Sequence, residues 1–155
     1  MLGTDFMNND GHATLVKFGS AFDDCPESIR VVIEEVARET VTKAIWFIGS
    51  RANSSAKPSS DWDILVFCDD EPMPVQERHK GLDVLRVGPS GRVLLEGMSE
   101  TFVCSFENFH WSLTDSQQAS YVGLKLRRGE VLHDYDESRY DSAQLKAFLI
   151  YGRKS

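Results

Sequence analysis

Two short apolar runs with an acidic pair between them constrain this chain more than any other feature. Ala44-Ile45-Trp46-Phe47-Ile48 is dense in β-branched and aromatic side chains and stops at Gly49, the pattern of a buried strand. After a polar stretch, Ser50–Ser60, a second strand is expected over Asp63–Cys68, with Asp61 and Asp63 at its entrance. Side chains alternate along a strand, so Asp61 and Asp63 share a face that Leu65 and Phe67 continue, while Ile64 and Val66 take the other. A strand that is apolar on both faces belongs in a sheet covered on both sides. Two carboxylates are thereby carried to one point where a buried strand enters the sheet.

Carboxylates held that close repel and raise each other's pKa unless a cation compensates. Oxygen donors select hard ions, Mg2+ or Mn2+, which are commonly shared with substrate phosphates. Upstream, Gly49-Ser50 follows directly on the first strand. Glycine there lets backbone N–H groups approach an anion, and the serine hydroxyl adds a donor. A phosphate cradle beside acids for bridging ions makes up the parts of a phosphate-transfer site. Read alone, the acidic pair also suits a polar turn that caps backbone groups ahead of a strand. Arg51 divides evenly between phosphate contact and solvent.

The segment Gly49-Ser50 … Ser60-Asp61-Trp62-Asp63 resembles the signature of the DNA polymerase β-type nucleotidyltransferase superfamily, above all its minimal branch, in which Gly-Ser is followed at this spacing by Ser-Asp-x-Asp. Arg51, Ala52, Ala56, Pro58, Leu65 and Val66 fit the extended pattern, which the chain leaves at Asn53 and Ser54, where Arg-Gly is expected. The resemblance implies an α+β sandwich with a mixed sheet and helices mainly on one face. It implies that Asp61 and Asp63 hold two Mg2+ or Mn2+ ions and that a third acid on a neighbouring strand holds one and helps deprotonate the acceptor hydroxyl. Asp83, between apolar neighbours in the expected strand Gly81–Val87, supplies that acid. Gly49, Ser50, Arg51 and Ser60 are the implied nucleotide- and phosphate-binding residues. The implied reaction moves a nucleoside monophosphate from ATP or another nucleoside triphosphate to a hydroxyl-bearing acceptor that the sequence does not identify. Similarity spans about residues 45–87, with a weaker echo at 121–135.

Around this segment, residues 1–20 read as an N-terminal arm in which Leu15-Val16-Lys17-Phe18 pairs as a short strand, and 21–155 read as one domain. Pro26 opens a helix on whose inner face Ile29, Val32, Ile33, Val36 and Ala37 recur at helical spacing. Val93-Leu94-Leu95 and Thr101–Phe106 are possible strands. A capping-box pattern at Thr114 and Gln117 and a stop at Gly129 predict a helix over Asp115–Arg128, and Asp141 with Gln144 predicts a last helix ending near Gly152. Trp46, Phe47 and Trp62 are expected in the core. His110-Trp111 reads as structural and Asp69-Asp70-Glu71 as a solvated loop.

Composition narrows the partners. The 155 residues carry 17 basic and 24 acidic side chains, a net −7, which disfavours a protein built to grip a nucleic-acid backbone. Apolar residues make up 41%, enough for a packed core. Both apolar runs fall far short of the ~20 residues that cross hydrocarbon, so no membrane is expected. Cys25, Cys68 and Cys104 are odd in number and widely spaced, which reads as reduced thiols of a cytoplasmic protein. A chain of this length has little left for a separate acceptor-binding domain. That motivates a competing reading, a fold-keeping subunit that acts with a helical partner protein or as a homo-oligomer; a metal-dependent glycosyltransferase, which also uses Asp-x-Asp, is disfavoured by the upstream Gly-Ser and by the short chain.

Overall fold

The computed structural model describes residues 13–15, 23–54, 56–75, 77–97, 104–126 and 140–153. The fold is α+β, and its centre is a mixed sheet with strand order β6-β5-β4-β3-β2-β9-β8-β7. The strands are β1 (Ala13–Leu15), β2 (Thr42–Ile48), β3 (Trp62–Cys68), β4 (Leu82–Val87), β5 (Arg92–Leu95), β6 (Cys104–Ser105), β7 (Ser112–Asp115), β8 (Gln118–Leu126) and β9 (Tyr140–Arg153). Every described pairing is antiparallel except β3 with β4. A parallel pair needs a crossover of roughly a dozen residues, and the segment 69–81 provides it with no helix among its described residues.

Helix α1 (Glu27–Arg38) covers one face of the sheet. Its buried residues Ile29, Ile33, Val36 and Ala37 form one stripe and pack with Ile45, Phe47, Ile64, Val66, Leu82, Val84 and Ile150. Each fully buried branched aliphatic contributes about 1.5–3 kcal/mol. The helix ends where Thr42 Oγ1 donates 2.7 Å to the Val36 carbonyl, a buried bond that turns the chain into β2. The opposite face is covered by aromatic residues from a 3-10 turn at Phe106–Phe109 and from Trp111. Trp111 meets Trp46, Phe67, Phe106 and Tyr121 at ring-centroid distances of 5.0 to 6.2 Å, which gives the expected structural residue its role.

Two expected helices are strands. At 115–128 the polar residues that suggested a capping box instead close a hairpin: Asp115 Oδ1 accepts 2.8 Å from the Gln117 N–H, an Asx turn between β7 and β8. The following residues include Tyr121, Val122 and Gly123, which suit a pleated surface better than a helix. At 140–153 the residues Ala143, Gln144, Leu145, Lys146 and Ala147 have high helix propensity. Tertiary pairing overrides it, because β9 pairs along Tyr140–Phe148 with β8 and from Phe148 to Gly152 with β2, while Asn53 bonds both backbone groups of Lys146 on the other edge. A register shift opposite Ile45 and Trp46 makes Ile150 the extra residue, so that Ile150 and Tyr151 both join the α1 face. The echo at 127–135 and the segment Val131-Leu132 lie outside the described residues, as does most of the arm. Its residues Ala13–Leu15 pair with the end of β9.

Candidate functional site

The parallel pairing of β3 with β4 places Asp63 directly beside Asp83 in register. Asp63 and Asp83 point to the aromatic face, because Trp62, Ile64, Leu82 and Val84 all pack on the α1 face. Asp61, just before β3, joins them through Arg78 of the crossover segment. Arg78 Nη2 lies 2.8 Å from Asp61 Oδ2 and 2.7 Å from Asp83 Oδ1, and Nε donates 3.1 Å to that same Asp83 oxygen. The three acids expected from sequence are thus brought together.

The cluster has more negative charge than one guanidinium offsets. Asp63 is pushed up to about 8, first by burial, then by the charge of Asp83, a hydrogen bond with the Asp83 carboxylate and the charge of Asp61, with Arg78 opposing them only in part. Burial and its acidic neighbours thus favour the protonated form of Asp63.

Gly49 ends β2 with φ +81° and begins the single turn α2 (Gly49–Ala52). A Cβ there would collide with Asp63 Oδ2, so glycine is required both for the backbone conformation and for the close approach of the carboxylate. The Gly49 N–H donates 2.9 Å to the hydroxyl of Tyr121 on β8. That phenol is raised to about 12, by burial first and also by the charge of Asp63, so it stays protonated. Ser50 sits half-buried at the second position of the turn.

Arg51 and Ser60 hold the connecting loop. Arg51 Nη2 donates to the carbonyls of Ser60 at 2.9 Å and Pro58 at 3.1 Å, and its guanidinium stacks 4.7 Å from the centroid of Trp62. The Ser60 hydroxyl accepts 2.9 Å from the Lys57 N–H. Asn53 and Ser54, where the resemblance expects Arg-Gly, have local structural work. The Asn53 amide bonds the Gly49 carbonyl at 2.8 Å and both backbone groups of Lys146, at 3.1 and 2.8 Å, tying the loop to β9. Ser54 takes φ +58°, the left-handed region that glycine occupies freely.

Among the described residues no group of three His, Cys, Asp or Glu is arranged to hold a metal ion. The donor types are nevertheless those a hard cation takes: Asp63 lies beside Asp83, like charge and burial raise Asp63, and a side-chain cation already bridges Asp61 and Asp83. A cavity of about 350 Å3 lies elsewhere, lined by Glu39, Cys68, Pro72, Met73, Val75 and Arg86, and does not include the acids. Its residues Arg86 and Glu39 are ion-paired with each other.

Two residues of the site were not anticipated. Arg78 lies in a segment with no motif, and only the parallel crossover brings it back over the acids. Tyr121 lay in an expected helix, where no face could be assigned to it. Cys25 and Cys68 are free and buried, and burial pushes Cys25 up to about 11, so both are inert thiols. Among the described residues no helix is long and apolar enough to cross a membrane. Comparison of the chain with protein families, with curated proteins and with solved structures finds no match in any of the three.

Proposed function

We propose that this chain is a metal-dependent nucleotidyltransferase of the DNA polymerase β type, similar to the minimal branch, with ATP or another nucleoside triphosphate as donor and a hydroxyl group as acceptor. The observation that carries this reading is the in-register pair Asp63 and Asp83 on parallel strands, with Asp61 joined to Asp83 through Arg78 and Gly49 packed against Asp63. Asp61, Asp63 and Asp83 would hold Mg2+ or Mn2+, which when bound supplies positive charge for the phosphates and the reacting oxygen.

The chain's own groups account for the rest. Asp83 accepts the proton of the acceptor hydroxyl as that oxygen forms its bond to the α-phosphorus. The bond from the α-phosphorus to the bridging oxygen breaks, and pyrophosphate leaves with the electron pair. Asp63 must lose its proton before it can ligate a cation, so binding favours alkaline pH. Gly49 and Ser50 would receive the donor phosphates, with the Gly49 N–H released from Tyr121, and Arg51 stiffens the loop beside them. Incubation with Mg2+, ATP radiolabelled at the α-phosphate and a panel of hydroxyl acceptors, the protein itself included, should transfer label. Asp63→Asn should lose at least about a hundredfold of that transfer. Equal labelling by the two proteins removes this mechanism.

A second reading is favoured by Arg78, which already bridges two of the acids: a subunit that keeps the fold and works with a helical partner protein. Co-purification from native cells separates the two, since a lone chain that labels an acceptor leaves the second reading without support.

A further inference from the structure

Arg78 is built differently along its length. Its stem is fixed: Gly97, at φ +93°, leaves no room for a side chain, because a Cβ there would stand 2.6 Å from Arg78 Cβ. The neighbouring backbone is fastened as well, by the Gly97 N–H donating 2.7 Å to the Val75 carbonyl and by His79 Nε2 lying 3.2 Å from Glu96 Oε1. The guanidinium end is not enclosed. The Arg78 side chain is 53% exposed and its bonded acids are 40% and 23% exposed. An ion pair that open contributes little, so the guanidinium moves aside easily while the stem stays in place.

The position of that guanidinium gives it a meaning. One nitrogen contacts Asp61 and Asp83 together, as a bridging cation would, and it does so beside the third acid of the cluster. One positive charge among three carboxylates leaves the cluster short of charge, whereas a divalent ion supplies twice as much at one point and takes more oxygen donors. The two cations compete for the same oxygens, and the smaller, doubly charged one wins when present. We propose that Arg78 is a tethered counter-cation that holds Asp61 and Asp83 together in the metal-free protein and is displaced when a divalent cation binds.

The inference rests on the reading of the acids as a metal site, and the following experiment separates the two. Mn2+ is titrated without nucleotide into the full chain and into Arg78→Met and Arg78→Lys, with free Mn2+ followed by electron paramagnetic resonance and folding checked by thermal unfolding. Removing a competing pair of about 1 kcal/mol should tighten Mn2+ binding about fivefold in Arg78→Met. Arg78→Lys keeps the charge but loses the fork that reaches two carboxylates, and should tighten binding by a smaller factor. In the wild-type chain the Arg78 Nε–H resonance should shift as Mg2+ replaces its bond to Asp83. Affinities that are measurable but equal or weaker in the variants overturn the counter-cation and leave the metal site standing. An Nε–H signal unmoved at saturating Mg2+ does the same. Failure of every protein, wild type included, to bind Mn2+ overturns the metal site and the inference together.

Discussion

Two arginines in this molecule each bridge a pair of carboxylates, and their surroundings differ. Arg86 on β4 bonds Glu96 through Nε and Glu39 at 3.0 Å through Nη2, and His79 contacts the other Glu96 oxygen. Its side chain is 12% exposed and that of Glu96 7%, so this contact is closed to water, while Glu39 and His79 at its ends are open. Arg78, at the entrance of the same two strands, bridges Asp61 and Asp83 in the open, with Asp63 beside it lacking a cation of its own. The same arrangement therefore serves two purposes. Where it is buried it fixes the packing, and where it is exposed it leaves room for a ligand.

The contrast predicts a spread of stabilities. Arg86→Met should cost the most, about 3–5 kcal/mol, because it leaves the Glu96 carboxylate buried without its partner. A loss below about 1 kcal/mol in urea unfolding would show that the Arg86 group is not closed.

Asp63→Asn should have the opposite sign. The folded carboxyl holds its proton up to about 8, whereas in an unfolded chain it releases it near 4. Between those values the native state binds the proton more tightly, so its stability is full below about pH 4 and is lost as pH rises through 8. The amide removes that loss, and the variant should gain on the order of 1–3 kcal/mol at about pH 9 and nothing at about pH 4. A gain of equal size at both would mean that charge at Asp63 is not its source.

Smaller effects come next. Tyr121→Phe takes away the acceptor of the Gly49 N–H and should cost about 1–2 kcal/mol, read from the unfolding midpoint. Arg78→Met should change stability by less than about 1 kcal/mol at neutral pH, since an exposed pair contributes little. A cost as large as that of Arg86→Met would erase the distinction between the two arginines.

Much of this region could be read from residues alone, for identifiable reasons. The strands β2, β3 and β4 and the helix α1 are short segments whose apolar spacing has one sensible burial, and Asp61, Asp63, Asp83 and Gly49 lie inside or beside them. The failures at 115–128 and 140–153 share a cause. Asp115, Ser116 and Gln117 can cap a helix or close a hairpin with the same side-chain bonds, and Ala143–Ala147 favour a helix until β8 pairs with them and β2 takes the residues that follow. Local signals of that kind are worth a few tenths of a kcal/mol to about 1 kcal/mol each, less than two ladders of backbone hydrogen bonds.

By itself the sequence determined two buried strands, one ended by a glycine and the other entered by a pair of carboxylates on one face, because alternation along a strand is a local property. Only the tertiary structure decided that β3 and β4 run parallel. That direction sets Asp83 beside Asp63 and returns the crossover segment over both with Arg78. It also decided that Tyr121 reaches Gly49, through a β8 that exists because β9 pairs with it. These are contacts between residues distant in the chain, and the free energy that selects them comes from burying both faces of one sheet, which no single segment contains.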